Sequence, residues 1–84
     1  MGKFWHGMSI VEPAVYRIRI QGILDKTWSD YCRGMRIEHE GTEQHHAMTV
    51  LIGRLADQSA LIGVLNALFD IGYPILSVEY LETR

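Results

Sequence analysis

Between Glu38 and His46 the chain places His39, His45 and His46 beside Glu38, Glu40 and Glu43, nitrogen and oxygen donors of the kind that hold zinc or nickel. Their spacing favours a plainer role. Successive strand residues point to opposite faces, so His45 and His46 can share an ion only from within a loop, and the His39-x₅-His45 spacing stands without a C-x₂-C pair to complete a site. A polar hairpin tip is expected, with His39, His45 and His46 as weak metal candidates. Cys32 would need a neighbouring base to act as a nucleophile, yet it shares a helical stripe with Trp28 and Tyr31, which predicts a buried, inert thiol. There is no G-x-S-x-G elbow and no P-loop. No catalytic residue and no cofactor are expected.

Arg17 and Arg19 are the remaining candidates, two guanidiniums on one face of a strand. Either they hold an anionic ligand or they pair with carboxylates expected on the same face, Glu38, Glu40 and Glu79. Eight Lys and Arg against ten Asp and Glu give a net charge of -2, which argues against nucleic acid, whose non-specific binding is built from excess positive charge. RNA-binding sheets also carry stacking aromatics where Arg17 and Arg19 stand here.

The elements that must position these residues follow from periodicity. Val15–Gln21 alternates strictly, Tyr16, Ile18 and Ile20 on one face and Arg17, Arg19 and Gln21 on the other. Asp25 or Thr27 caps a short helix containing Trp28, Tyr31 and Cys32, and Gly34 stops it. A second strand runs from Met35 to Glu40, a polar loop spans Gly41 to Gln44, and a third strand returns from His45 or His46 to about Leu55. Asp57 caps the clearest helix, with Leu61, Val64, Leu65, Leu68 and Phe69 at the spacing of one buried stripe, ended by Gly72 and Pro74. Ile75–Leu81 is the last strand.

This order, βαββαβ, predicts an α+β domain of the ferredoxin-like split βαβ type, a four-stranded antiparallel sheet with two helices on one face. Trp28, Tyr31, Leu61, Leu65, Leu68 and Phe69 are expected to pack on Tyr16, Ile18, Ile20, Ile37, Val50 or Leu51, Leu76 and Val78. The opposite face is expected to carry Arg17, Arg19, Gln21, Arg36, Glu38, Glu40, Ser77 and Glu79. The third strand is apolar on both faces, a hint that something covers its outer side.

Eighty-four residues with 48% apolar content suffice for one domain, placed at 15–84, preceded by an arm at 1–14 that contains Phe4 and Trp5. Apolar runs are far shorter than the ~20 residues of a membrane span, the start lacks a secretory h-region, and a single cysteine forms no internal disulfide. A cytoplasmic protein without a membrane partner is the expectation.

The run Tyr16-Arg17-Ile18-Arg19-Ile20-Gln21-Gly22-Ile23-Leu24, Trp28-Ser29-Asp30-Tyr31, Asp57-Gln58-Ser59-Ala60-Leu61 and Leu76-Ser77-Val78 resembles a group of small bacterial proteins of unassigned function. That resemblance implies a bacterial source and a single domain, and brings no activity or catalytic residue. A looser topological likeness is to ACT-type regulatory modules, which would imply a small acid or amino acid bound near Gly22, Asp25 and Lys26 with Arg17 or Arg19.

A domain this small hides a modest share of its surface and gains from a partner. The leading expectation is a non-catalytic module that forms a homodimer, or meets a partner protein, through its helix-free sheet face, with Arg17, Arg19, Thr49, Leu51 and Glu79 in contact. An ACT-like ligand sensor is the alternative, and a small dimeric α+β barrel enzyme comes last because no polar cluster marks a cavity.

Overall fold

The computed structural model describes residues 13–42 and 45–83. The N-terminal arm, apart from its last two residues, and the side chains of Glu43, His45 and His46 lie outside what is described.

Four strands, β1 (Ala14–Gln21), β2 (Arg36–Thr42), β3 (His45–Leu55) and β4 (Ile75–Thr83), form one antiparallel sheet in the order β2-β3-β1-β4. A 3₁₀ helix, Lys26–Cys32, joins β1 to β2, and an α-helix, α1 (Gln58–Ile71), joins β3 to β4. The protein is thus a small α+β unit with an open four-stranded sheet and two helices.

Local chemistry sets these boundaries. Asp57 is extended, and its carboxylate accepts from the Ala60 amide at 2.8 Å, satisfying one of the donors a helix start leaves free. Gly72, at φ 102°, closes the helix with its amide on the Leu68 and Phe69 carbonyls, a left-handed stop that a side chain would resist. The first helix stays short because Asp25 caps it while Arg33 and Gly34 both turn left-handed directly after it.

The alternation in β1 places Ala14, Tyr16, Ile18 and Ile20 in the core, where they join Leu24, Cys32, Met35, Ile37, Leu51, Leu55, Ala60, Val64 and Leu68. Gly53 sits inside β3 opposite Tyr16 because a Cβ there would come within 3.1 Å of the Met35 backbone. Its bare backbone lets the buried Met35 cross at close range.

Several expected core residues are not there. Trp28 and Tyr31 lie at the surface, packed edge to face against each other, because a seven-residue 3₁₀ helix turns only Cys32 fully inward. Phe69 is 75% exposed, Val78 is 40% exposed, and Leu76 is a surface residue too. The cause is where the helices sit. The Gly63 side of α1 abuts the Arg33 guanidinium, so that flank faces the 3₁₀ segment. Leu61, Leu65 and Phe69 occupy the opposite flank, roughly 160° to 240° around the helix from Gly63.

Candidate functional site

Three places bring functional side chains together. On the outer, helix-free face, directly opposed residues share a side, so the register aligns Arg17 with Glu79, Arg19 with Ser77 and Val50, and Glu38 with Val50. Arg17 grips Glu79 with both ends of its fork, Nε to Oε1 at 2.7 Å and Nη2 to Oε2 at 3.2 Å, and Arg19 Nη1 donates to the same Oε1. The paired guanidiniums, Arg17 above all, hold the Glu79 carboxyl down at about 2. Arg36 pairs with Glu38 at 2.8 Å on the same face.

This layer also accounts for the apolar surplus of β3. Val50 points outward yet is only 2% exposed, and its cross-strand neighbours are Arg19 and Glu38, whose aliphatic stems are long enough to lie over it. Thr49 and Leu51, expected at an interface, are wholly buried on the helix side of the strand. The cover on this part of β3 is intramolecular.

A carboxylate with a depressed folded-state pKa contributes stability that is present above its ordinary value and lost as pH falls through the folded one. Melting curves of the wild type should therefore drop between about pH 4.5 and 2 more steeply than those of Glu79→Gln, which has no proton to take up there. Parallel curves would show that the triad does not survive in solution. Added salt should narrow the gap, since the three side chains are partly in water.

The second place is the loop from Gly22 to Asp25. Its three successive carbonyls accept from three different side chains. Thr49 Oγ1 donates to Gly22 at 2.7 Å, the Tyr73 hydroxyl to Ile23 at 2.9 Å, and His39 Nε2 to Leu24 at 2.6 Å. A carbonyl can only accept, so His39 carries its proton on Nε2. Thr49 Oγ1 also accepts from the Leu24 amide at 2.9 Å, and the Gly22 amide donates to Ala47. Gly22 holds φ 102°, and a Cβ there would press on the Tyr73 ring at 3.2 Å.

Of the residues expected to take a small ligand, Gly22 is therefore held within the fold, and Asp25 caps the 3₁₀ helix through the Thr27 amide, which lowers its pKa. Lys26 is exposed at the start of that helix, while Arg17 and Arg19 are committed to Glu79. Among the metal candidates, His39 lies on the core side of β2 and its neighbours Glu38 and Glu40 on the outer side. Among the described residues no three His, Cys, Asp or Glu side chains converge on one point. Burial raises the pKa of the Cys32 thiol, which disfavours the reactive thiolate.

The third place is an apolar flank that periodicity did not reveal. Ile75, Val78 and Tyr80 pair with Ile20, Ile18 and Tyr16 and so point to the helix side of the sheet, yet all three are exposed where their β1 partners are buried. Leu61 and Leu65 of α1 pack partly buried against the core, and Phe69 joins Gly72, Tyr73 and Pro74, the residue before β4, around an open cleft of about 320 Å³. Tyr16, whose pKa burial raises, meets Tyr80 edge-on at 6.0 Å and marks where cover ends.

A family model described as a domain of unknown function, DUF8691, matches residues 15–79. The chain belongs to the DUF8691 family. No curated protein and no solved structure matches it. The DUF8691 match takes in the Arg17, Arg19 and Glu79 triad, the pinned loop and all of α1, and ends within β4. No helix among the described residues is long and apolar enough to cross a membrane.

Proposed function

We propose that this DUF8691 protein is a non-catalytic interaction module whose working surface is the apolar flank formed by β4 and the adjoining side of α1. The observation that carries this reading is the density of exposed large apolar residues there. Ile75, Leu76, Val78, Tyr80 and Leu81 lie along a single edge strand, with Phe69 beside them. Soluble monomers rarely leave such a strip contiguous, and an exposed edge of this kind invites a further strand or helix. The strand order fits a ferredoxin-like arrangement in which the first helix has shrunk to a 3₁₀ turn. On that reading the cover over β4 comes from another chain.

The outer face is the poorer docking surface, because its arginines are spent on Glu79 and its apolar stripe is largely sealed by the chain's own side chains. Hydroxyl-radical footprinting inside cells that make the protein tests the proposal. Phe69 and Tyr80 should be oxidised several-fold more slowly than in the dilute purified chain, while Trp28 and Tyr31 stay reactive in both. Equal oxidation of all four in cells would overturn it.

A further inference from the structure

We infer that the occupant of this flank is a second copy of the chain, joined by antiparallel pairing of β4 with β4 about a two-fold axis at Val78. The inference rests on the reading of the flank as the working surface.

Position in the sheet comes first. β4 is an edge strand of nine residues, ILSVEYLET, with no Lys, Arg or Pro to blunt it. Its pairing with β1 skips a residue at Leu76 and again at Leu81, so Ser77–Tyr80 is the regular stretch left between two bulges. A two-fold axis perpendicular to the sheet keeps each face on its own side and pairs residues whose numbers add to an even sum.

Two central registers are then available, and charge separates them. An axis at Glu79 would set two carboxylates directly opposite each other, which is unfavourable. An axis at Val78 instead opposes Val78 to Val78, Leu76 to Tyr80, and Ser77 to Glu79.

The area is also adequate. Taking a large apolar side chain as about 200 Å², the exposed fractions of Phe69 and the five β4 residues amount to roughly 600 Å² per copy, and main chain and rim residues bring this near the ~800 Å² per partner of a standard interface. The product is one continuous sheet with both α1 helices on the same side, each Phe69 flank turned toward the seam.

Light scattering on the full chain should give twice the 9.6 kDa chain mass. Phe69→Glu, which alters a side chain that contributes little to the fold, should weaken dimerisation by about tenfold or more without changing the circular dichroism. Val78→Cys should cross-link across the axis under mild oxidation, because directly opposed Cβ atoms lie at about disulfide range, and Glu79→Cys should not. A wild-type monomer at high concentration overturns the second copy. If the flank is nonetheless protected in cells, the working surface stands and its occupant is a different protein. A dimer in which the Glu79→Cys variant cross-links in preference to the Val78→Cys variant overturns the register, and an oxidised flank in cells overturns the reading beneath both.

Discussion

Leu51→Ala should cost about 3 kcal/mol of folding stability and about 15 °C in melting temperature. Leu51 has no exposed surface and stands at the middle of β3, one of the two inner strands, paired with Ile18 on one side and Ile37 on the other. Truncation there removes transfer free energy and leaves a cavity that a sheet fixed on both sides is poorly able to close. An 84-residue domain has only about 4 to 12 kcal/mol in total, so the variant should be partly unfolded at 37 °C. Urea unfolding at low protein concentration, where association does not contribute, measures the loss. A variant of near wild-type stability that has lost only self-association would instead place Leu51 at a surface, contrary to its burial here.

That expectation turns on which side of β3 is which, and the sequence alone left it open. Strict alternation in β1 was legible because its two faces differ in kind, isoleucine and tyrosine against arginine and glutamine. In β3 both faces are apolar, so periodicity carries no phase, and only the register against β1 reveals that Thr49 and Leu51 face the helices while Val50 faces out. An arginine and glutamate layer was readable, since residues on the outer faces of the strands were already assigned, but only the sheet order selects Glu79 as the shared partner of Arg17 and Arg19. The loop latch was not readable at all. Thr49, His39 and Tyr73 come from three separate places in the chain, and no local pattern shows that three side chains will meet one short loop. Nor does a perfect apolar stripe on α1 disclose that Phe69 at its end stays exposed, because amphipathicity gives the dry face of a helix and not what it lies on.

The exposed flank follows from the shortness of the first connection. A full helix between β1 and β2 would fill its half of the sheet and present a second long stripe to α1. Here the chain spends seven residues on a 3₁₀ turn whose only fully buried side chain is Cys32, and α1 turns its Gly63 side toward that turn. Ala60, Val64 and Leu68 reach the shared core while the Leu61, Leu65 and Phe69 flank does so only in part. The helix side of β4 is what two helices of this size leave over. A share of the chain's 48% apolar residues is therefore laid on the edge strand, where the described residues leave it exposed.

Thr49→Val is the sharpest test of the latch, because valine keeps the shape of threonine and removes only its hydroxyl. That hydroxyl accepts from the buried Leu24 amide and donates to the Gly22 carbonyl. Leu24 and Thr49 are both fully buried, so water cannot take the place of the lost acceptor at the amide. An unsatisfied buried N–H costs about 1 to 3 kcal/mol, and the Gly22 carbonyl loses its partner in the same step, so the variant should be destabilised by about 2 to 3 kcal/mol. Thr49→Ser keeps both bonds and gives up one methyl group, for about 1 kcal/mol. Hydrogen exchange separates the mechanism from general loosening: the Leu24 amide should exchange much faster in the valine variant, beyond what its lower global stability explains, while amides in α1 follow the global change. If valine were tolerated to within about 0.5 kcal/mol, the loop would not depend on Thr49. The Tyr73 and His39 contacts would then suffice to hold its carbonyls, and the close fit of the Tyr73 ring over Gly22 would become the main constraint on the turn.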